Sequence, residues 1–230
     1  MNGARFADST MPTMREHFAG CKRVALVLHA SHPSERDGME KRMQVAFADI
    51  GVSEAISLHQ MSDAEAAVFL TKADAIWVGG GETFVLLAEL YRTGQLAIIR
   101  ERVLAGVPFG GSSAGANVAG LVIGTTNDFP TAEVPTREAL AIFPAVINPH
   151  HPLPVTKSEY DGRVGKILTY RKFNPGESVI GLANAAMIRL HAGKITVPNG
   201  AVWLYAANGQ QALKPGDDVT ELVLDKSAAK

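Results

Sequence analysis

The sequence predicts an α/β protein with a mostly parallel sheet covered by helices on both faces and with antiparallel strands near the C-terminus. The first observation is that short apolar runs alternate with segments of helical periodicity in the first half of the 230-residue chain. The second is that these runs are apolar throughout, as in strands buried on both faces. The third is that strand-like runs in the last third are separated by Asn-Gly and Gly turns, which favour antiparallel pairing. We expect one domain over residues 1–230.

The elements of the first half follow one another in a regular β–α order. The predicted strands share a short apolar composition and lie at residues 24–28, 55–58 and 75–78. The predicted helices share apolar residues at helical spacing and lie at residues 38–50, 62–72, 83–93 and 95–106. Ser62 and Glu65 match a capping box at the start of one helix, and Gly51 and Gly94 end two others. This alternation predicts parallel strands with helical connections.

The last third of the chain changes character. Its strand-like runs lie at residues 179–182, 187–190, 194–197 and 202–205. Turn residues between them, including Asn199-Gly200 and Asn208-Gly209, predict an antiparallel meander added to the sheet. Residues 225–230 are expected to be a frayed tail.

The composition restricts function and location. Lys and Arg total 22 against 23 Asp and Glu, a net charge of -1, which excludes a nucleic-acid partner held by a basic surface. No apolar run approaches the ~18 residues that span a bilayer, and the N-terminus lacks the apolar core of a signal peptide. The single cysteine, Cys21, cannot form an internal disulfide. We therefore expect a cytoplasmic protein without a membrane partner, present as a monomer or homodimer.

A Gly-x-Ser-x-Gly pattern at residues 111–115 is the strongest chemical signal. It follows a predicted strand and precedes small residues that can begin a helix, which is the context of a nucleophile elbow. Only Ser113 fits, because a pattern centred on Ser112 needs glycine at position 114. In such a turn the Ser113 hydroxyl is exposed and the amide of Ala114 can donate to an oxyanion. Without catalysis, the same residues would form an ordinary strand-to-helix turn.

A serine nucleophile needs a base, and the histidines after the strand-like run at 143–147 are the first candidates. His150 and His151 lie on a predicted loop at a strand end, where the sites of α/β sheets collect. His29 also follows a strand and is the main alternative. Asp128 is a carboxylate between the serine and these histidines, and is equally well explained as an Asx-turn residue. The paired histidines lack further ligands at a recognisable spacing, so no metal is expected.

A second glycine cluster, Gly79-Gly80-Gly81, also connects a predicted strand to a helix. Phe84 stands where a dinucleotide fingerprint needs its third glycine, and no Gly-Lys-Ser/Thr follows as in a phosphate-binding loop. We therefore expect no nucleotide cofactor. The cluster predicts a tight turn whose exposed amides can form the other half of an oxyanion hole.

Together these motifs resemble dipeptidase E, the α-aspartyl dipeptidases of serine peptidase family S51. The resemblance covers roughly residues 20–205 and rests on four motifs in the same order and at similar spacing. The four motifs are Gly79-Gly80-Gly81-x-Thr83-Phe84, Ser113-Ala114-Gly115-Ala116-Asn117, Thr125-Thr126-Asn127-Asp128 and Phe143-Pro144…Ile147-Asn148-Pro149-His150.

The resemblance implies the class I glutamine amidotransferase-like fold, with a serine at the position of the amidotransferase cysteine. It implies Ser113 as nucleophile, His150 as general base and Asp128 as the carboxylate partner of that base. Gly81 and Ala114 would supply oxyanion-hole amides. The implied reaction is acyl transfer, in which Ser113 attacks a peptide carbonyl, His150 protonates the leaving amine and water hydrolyses the acyl-enzyme. The implied substrate is a short peptide, and no cofactor is implied.

The chain departs from the family at positions suited to substrate recognition. Members usually carry Gly-Glu-Thr-Arg after the histidine, and that arginine suits an aspartyl carboxylate, whereas Tyr160 or a neighbour stands there in this chain. A tyrosine cannot replace a charged, bidentate contact, so strict aspartyl specificity is in doubt. Arg163, Lys157 and Arg137 are candidate substitutes.

Two further departures concern residues near the expected site. Members have Pro-Glu-Gly-Asn after Ile-Gly-Leu, where this chain has Ala183-Asn184-Ala185-Ala186, and the missing glutamate is suited to grip a substrate amine. Glu82 replaces an asparagine after the glycine cluster. Glu82, Tyr160 and Arg163 are therefore the candidate substrate-binding residues.

Three functions are open from the sequence. The first is a serine exopeptidase that hydrolyses dipeptides or short peptides. The second, on the same fold, is a cyanophycinase-like hydrolase of aspartate–arginine polymers. The third is a non-catalytic protein that binds a small ligand in the same pocket.

Overall fold

The computed structural model describes residues 6–207 and 209–224, so the expected tail at 225–230 and Asn208 of a predicted turn lie outside the described residues. The helices are α1 (Met11–His17), α2 (Arg36–Ala48), α3 (Asp63–Lys72), α4 (Thr83–Arg92), α5 (Gln95–Leu104), α6 (Ala114–Ala119), α7 (Lys157–Phe173) and α8 (Thr220–Leu224). The strands are β1 (Arg23–Val27), β2 (Glu54–Ser57), β3 (Ala75–Val78), β4 (Phe109–Gly111), β5 (Val146–Pro149), β6 (Val179–Leu182), β7 (Met187–His191), β8 (Lys194–Asn199), β9 (Val202–Ala206) and β10 (Gly209–Leu213).

The first sheet is entirely parallel, with strand order β2-β1-β3-β4. Alternate residues of β1 face opposite sides, because side chains alternate along a strand. Ala25 and Val27 pack in one core with residues of α3 to α6, whereas Val24 and Leu26 pack in another with residues of α1 and α2. Helices therefore cover both faces, and the predicted α/β class is confirmed.

Local sequence signals describe this half well. The predicted strands lie within two residues of β1, β2 and β3, because their apolar runs are buried on both faces. The predicted capping box is present at α3: Glu65 N donates to Ser62 Oγ at 3.3 Å, and Ser62 N donates to the Glu65 carboxylate at 2.8 Å. These two bonds satisfy amides that an α-helix cannot pair internally.

The second sheet is mixed, with strand order β10-β9-β6-β5. β5 and β6 are parallel, whereas β9 pairs antiparallel with β6 and β10 pairs antiparallel with β9. The expected meander is therefore wrong for two strands, because β7 and β8 form a separate antiparallel pair. β5 and β9 occupy the two edges of β6, so the β7–β8 hairpin has no free edge there. The strand-like run at 143–147 also begins later than expected, at Val146.

Helix α7 is the longest of the elements that the sequence did not predict, which also include α1, β10 and α8. It spans 17 residues and contains Gly162 and Gly165. Ile167 is its one buried residue. Ile167 packs with Trp203 and Tyr205 of β9. The helix has no wide apolar stripe, so its periodicity in the sequence is weak. Packing against the second sheet stabilises it instead.

The carboxyl ends of two parallel strand pairs, β3–β4 and β5–β6, lead into the segments that carry the candidate site residues. β3 and β4 lead into the glycine cluster and the Ser113 turn, and β5 and β6 lead into the segments that begin at His150 and Ala183. Open α/β sheets place their sites at such strand ends. Among the described residues, no helix combines the length and apolar character that crossing a bilayer requires.

Candidate active site

Ser113 occupies a sharp turn between β4 and α6. Its backbone has φ 52° and ψ -114°, a conformation that L-residues rarely adopt outside constrained sites. The flanking glycines are required by space. A Cβ at Gly111 would lie 2.4 Å from the carbonyl oxygen of Gly115, and a Cβ at Gly115 would lie 2.1 Å from that of Val78. The expected strand–turn–helix context is present, with the serine held at the start of a helix.

His150 directly follows β5 and faces this serine. Its Nε2 lies 2.8 Å from Ser113 Oγ, and its Nδ1 lies 2.6 Å from Oδ1 of Asn184. An amide oxygen can only accept, so Nδ1 carries the proton and donates to Asn184. The lone pair of Nε2 is thereby directed at the Ser113 hydroxyl, which is the arrangement needed for removal of its proton.

The pairing of β5 with β6 brings Asn184 to the histidine. Pro149 lies opposite Leu182 in the parallel register, and His151 N donates to the carbonyl of Leu182 at 2.8 Å. The residues after the two strands are consequently neighbours. His150 itself has φ 55°, and Ala185, the residue after Asn184, has φ 62°, so a left-handed backbone position lies at or beside each end of this contact.

Sequence reasoning missed Asn184 as the partner of His150. The signal was available, because Asn184 lies where family members carry a glutamate after Ile-Gly-Leu. By the resemblance, that position is suited to contact a substrate amine. The structure places it against the imidazole instead, and the side chain there is a neutral amide in this chain.

Asp128, expected as the carboxylate partner of His150, lies elsewhere. Its Oδ2 accepts from Thr83 N at 2.9 Å, at the start of α4. Within the described residues no hydrogen bond joins Asp128 to His150, whose Nδ1 faces Asn184. The expected hydrogen-bonded series of Ser113, His150 and Asp128 is therefore not the one observed, because the turn that holds Asp128 is anchored on α4.

The glycine cluster passes directly beside the serine. A Cβ at Gly80 would lie 2.9 Å from Ser113 Cβ, and a Cβ at Gly81 would lie 2.2 Å from the carbonyl oxygen of Ala30. Gly81 has φ 135°, which side chains disfavour. In the part of the chain that the structure describes, the amides of Gly81 and Ala114 donate no hydrogen bond. Both are thus available as donors beside the Ser113 turn.

The three candidate substrate-binding residues have different surroundings. Glu82 is exposed, and its Oε2 accepts from Thr131 Oγ1 at 3.2 Å. The hydroxyl of Tyr160 meets Gln210 Nε2 at 2.5 Å, and its ring contacts that of Trp203 edge-on at 5.8 Å. Tyr160 is therefore engaged with the second sheet.

Arg163 lies behind the His150 loop. Its Nη1 donates to Asn148 Oδ1 at 2.9 Å and to the carbonyls of Pro149 and His150 at 3.4 Å each. Burial lowers the pKa of this guanidinium, and the described residues hold no carboxylate within ion-pair distance of it. Its contacts support the histidine loop. Lys157, another candidate, is exposed and pairs with Asp161 at 2.5 Å.

The alternative histidines have other partners. His151 is 2% exposed, meets the Tyr205 hydroxyl at 2.7 Å and stacks on Trp203 with ring centroids 4.3 Å apart. His29 is buried and meets Gln95 Oε1 at 2.8 Å. Desolvation lowers the pKa of both rings. Of the described histidines, His150 is the one hydrogen-bonded to Ser113.

Comparisons with known proteins find similar peptidases. The family model described as Peptidase family S51 matches residues 3–197. Peptidase E of Pasteurella multocida is 33% identical over 229 residues, covering 95% of this chain and 96% of that protein. A Drosophila melanogaster protein named "Probable alpha-aspartyl dipeptidase" is 41% identical over 174 residues, covering 72% of this chain and 70% of that protein.

A solved structure shares the fold. The crystal structure of a peptidase from an acI-B1 Actinobacterium superposes with a TM-score of 0.70. The alignment covers 95% of this chain and 93% of that one, at 17% identity. At this identity the likeness concerns the fold alone.

Proposed function

The chain belongs to peptidase family S51 and is a serine peptidase of the dipeptidase type, and we propose that Ser113 is its nucleophile and His150 its general base. The observation that carries this proposal is the 2.8 Å contact between Ser113 Oγ and His150 Nε2 at a strained strand-to-helix turn. A weak nucleophile next to a correctly oriented base is the arrangement that acyl transfer requires.

The proposed reaction proceeds in two stages. Ser113 attacks the peptide carbonyl while His150 accepts its proton, and the amides of Gly81 and Ala114 donate to the oxyanion. His150 then protonates the leaving amine, and the acyl group stays on Ser113. Water, deprotonated by His150, hydrolyses this ester and regenerates the enzyme.

Asn184 is proposed to orient the base. Its amide oxygen accepts from Nδ1 of His150 at 2.6 Å and so selects the tautomer that presents a free Nε2. A carboxylate at this position would also neutralise the imidazolium formed during the reaction, whereas an amide offers only a dipole. The proposed series is thus Ser113, His150 and Asn184, of the Cys-His-Asn type known from other peptidases.

We propose that aspartate is not required as the N-terminal residue of the substrate. Two of the three candidate substitutes for the missing arginine are engaged elsewhere: Arg163 with backbone carbonyls and Lys157 with Asp161. Arg137, the third, lines a groove with Tyr170 and Glu177, and the hydroxyl of Tyr160 meets Gln210. The side chain next to the glycine cluster is instead the acidic Glu82. An acidic substrate side chain would gain no charge-assisted contact from these residues.

Labelling with a fluorophosphonate tests the nucleophile. The wild type should be labelled and should hydrolyse dipeptides, and Ser113→Ala should abolish both. Ser112→Ala removes a neighbouring hydroxyl from the same turn and serves as the matched control, with labelling retained. Full hydrolysis by Ser113→Ala would contradict the proposed nucleophile.

A dipeptide library tests the specificity. The rates for Asp-X, Asn-X and Ala-X substrates should lie within about tenfold of one another, since the site offers no bidentate contact to the aspartyl carboxylate. Cleavage of Asp-X alone would refute this proposal and leave the nucleophile unaffected.

We also propose that the enzyme acts in the cytoplasm on short peptides, as a monomer or homodimer. The buried, unpaired Cys21 supports a reducing compartment. Cell fractionation and light scattering of the purified protein would test the location and the oligomeric state.

A further inference from the structure

Residues 125–128 (Thr-Thr-Asn-Asp), here called the bracket segment, are hydrogen-bonded to elements on both sides of the proposed site. On the histidine side, Asn127 Nδ2 donates to the carbonyl of Pro149 at 3.3 Å, directly before His150. Asn148 Nδ2 donates to the carbonyl of Thr125 at 2.5 Å. The bracket segment is therefore bound to the end of β5.

The same segment is bound to the helices on the serine side. Thr126 Oγ1 donates to Thr83 Oγ1 at 3.2 Å, and Asn117 Nδ2 donates to both threonine hydroxyls at 3.2 and 3.4 Å. Thr83 begins α4, and Asn117 belongs to α6, the helix after Ser113. Asn117 and Thr83 are buried, so these bonds are shielded from water.

Asp128 completes the N-terminus of α4. The residue before this helix, Glu82, makes no side-chain capping bond, and Asp128 Oδ2 accepts from the first helical amide, Thr83 N, at 2.9 Å. The first amides of a helix lack partners within it and favour a negative charge. Asp128 thus provides from a distant segment the cap that Glu82 does not.

This cap fixes one end of the glycine cluster. Glu82 N donates to the carbonyl of Ala30 at 2.9 Å, and the adjacent Thr83 N is held by Asp128. Between these bonds and β3 lie Gly80, where a Cβ would collide with Ser113, and Gly81, whose amide is the proposed oxyanion donor. The orientation of that amide depends on how the following residues are held.

We infer, on the basis of the proposed function, that Asp128 is a positioning residue for the oxyanion hole and not a partner of His150. It acts through Thr83 N, and hence through the path of the backbone at Gly81 and Glu82. What Asp128 must supply is an acceptor oxygen at the start of α4. A charge next to the imidazole is not its contribution.

Two substitutions separate these roles. Asp128→Asn keeps an acceptor oxygen for Thr83 N and removes the charge, whereas Asp128→Ala removes both. We expect Asp128→Asn to lie within about tenfold of the wild type in kcat, because asparagine caps a helix as well as aspartate does. Asp128→Ala should lose roughly 10²–10³-fold in kcat, as when an oxyanion donor is lost, with KM little changed.

The pH–rate profile gives the decisive readout. Both variants should keep the acid limb of the wild-type profile, since the surroundings of His150 are unchanged. If Asp128 were the partner of His150, Asp128→Asn would be as damaging as Asp128→Ala and would move the acid limb. Either of these results would overturn the inference.

A matched control removes another helix cap. Glu65→Ala breaks the capping box of α3, a helix that carries none of the proposed site residues, and should lower the melting temperature without changing kcat. Loss of activity in Glu65→Ala comparable to Asp128→Ala would mean that general destabilisation explains both, and would also overturn the inference.

An NMR measurement keeps the inference testable even without peptidase activity. The amide resonance of Thr83 should move when Asp128→Ala is made and stay near its wild-type position in Asp128→Asn. If the wild type cleaves no peptide and is not labelled by a fluorophosphonate, the proposed function fails while this contact can still be verified. An unmoved Thr83 resonance in Asp128→Ala would refute the contact itself.

Discussion

The parallel sheet that carries Ser113 and the mixed sheet that carries His150 differ in how they build the site. In the first, the turn at Ser113 and the glycine cluster are shaped by close contacts between backbones, at Gly81, Gly111 and Gly115. In the second, His150 is oriented by another side chain, Asn184. Where a Cβ would lie less than 3 Å from a backbone atom, only glycine fits. A side chain that accepts a hydrogen bond, by contrast, can be replaced by another acceptor.

This difference explains where the chain departs from its family. The glycines and the Gly-x-Ser-x-Gly turn follow the family pattern, because any side chain there would collide with the backbone. The substitutions lie in the second half or on the rim, at Asn184, Tyr160 and Glu82. The region that carries the proposed nucleophile, Ser113, is thus constrained by geometry. The region that carries His150 can vary in charge while keeping the same contact.

The largest expected effect comes from removing the proposed base. His150→Ala should lower kcat by about 10⁴-fold or more, because Ser113 then has no group to accept its proton. Steady-state kinetics with a dipeptide substrate would measure this, with circular dichroism to verify the fold. His32→Ala, at an exposed histidine, is the control and should keep full activity. Retention of a tenth of the activity by His150→Ala would assign the base to another group.

Gly80→Ala tests whether the close backbone contacts around Ser113 are required. The new Cβ would lie 2.9 Å from Ser113 Cβ and displace the serine, and a displacement near 1 Å can lower kcat/KM by roughly 10²-fold. Gly162→Ala, in α7, meets no atom within 4 Å and should raise the free energy of unfolding by about 0.5–1 kcal/mol with unchanged kinetics. Normal activity in Gly80→Ala would show that this contact is less strict than its geometry implies.

Asn184→Asp tests whether the side chain that accepts from His150 can be exchanged. A carboxylate beside the ring stabilises the imidazolium, so a higher pH is needed to free the base. The acid limb of kcat/KM should therefore move to higher pH by about one unit, with activity retained at alkaline pH. Gln211→Glu, the same amide-to-acid change on exposed β10, is the control. If the acid limb does not move in Asn184→Asp, residue 184 does not influence the protonation of His150.

The smallest effect concerns stability and the second histidine of the pair. Burial lowers the pKa of His151 below its usual ~6.5, so the unfolded chain binds a proton more readily than the folded one. The free energy of unfolding should thus fall as the pH drops below ~6.5 toward the pKa of the folded state. In His151→Gln this slope should be shallower by up to ~1.4 kcal/mol per pH unit.

Urea unfolding between pH 5 and 7.5 would measure these slopes. His17 and His29 have pKa values lowered in the same direction, mainly by desolvation, and should keep part of the slope in His151→Gln. His32→Gln is the exposed control. Equal slopes for His151→Gln and the wild type would mean that this ring does not contribute to acid sensitivity.

The sequence described the first half of the fold more accurately than the second. Apolar runs that are buried on both faces, and a capping box that closes within four residues, are local signals. By contrast, α7 is stabilised through the contact of Ile167 with β9, and the β7–β8 hairpin leaves the meander because β5 and β9 occupy both edges of β6. Neither feature can be predicted from a short stretch of sequence.

The sequence by itself determined the Ser113 turn, the glycine cluster and the histidine after β5, since each depends on a few consecutive residues at a strand end. Only the tertiary structure decided the partners. The parallel pairing of β5 with β6 brings Asn184, 34 positions away, to His150. The bracket segment carries Asp128 to Thr83, 45 positions away. Such pairings depend on how strands and helices pack in space, and they cannot be predicted from the spacing of residues along the chain.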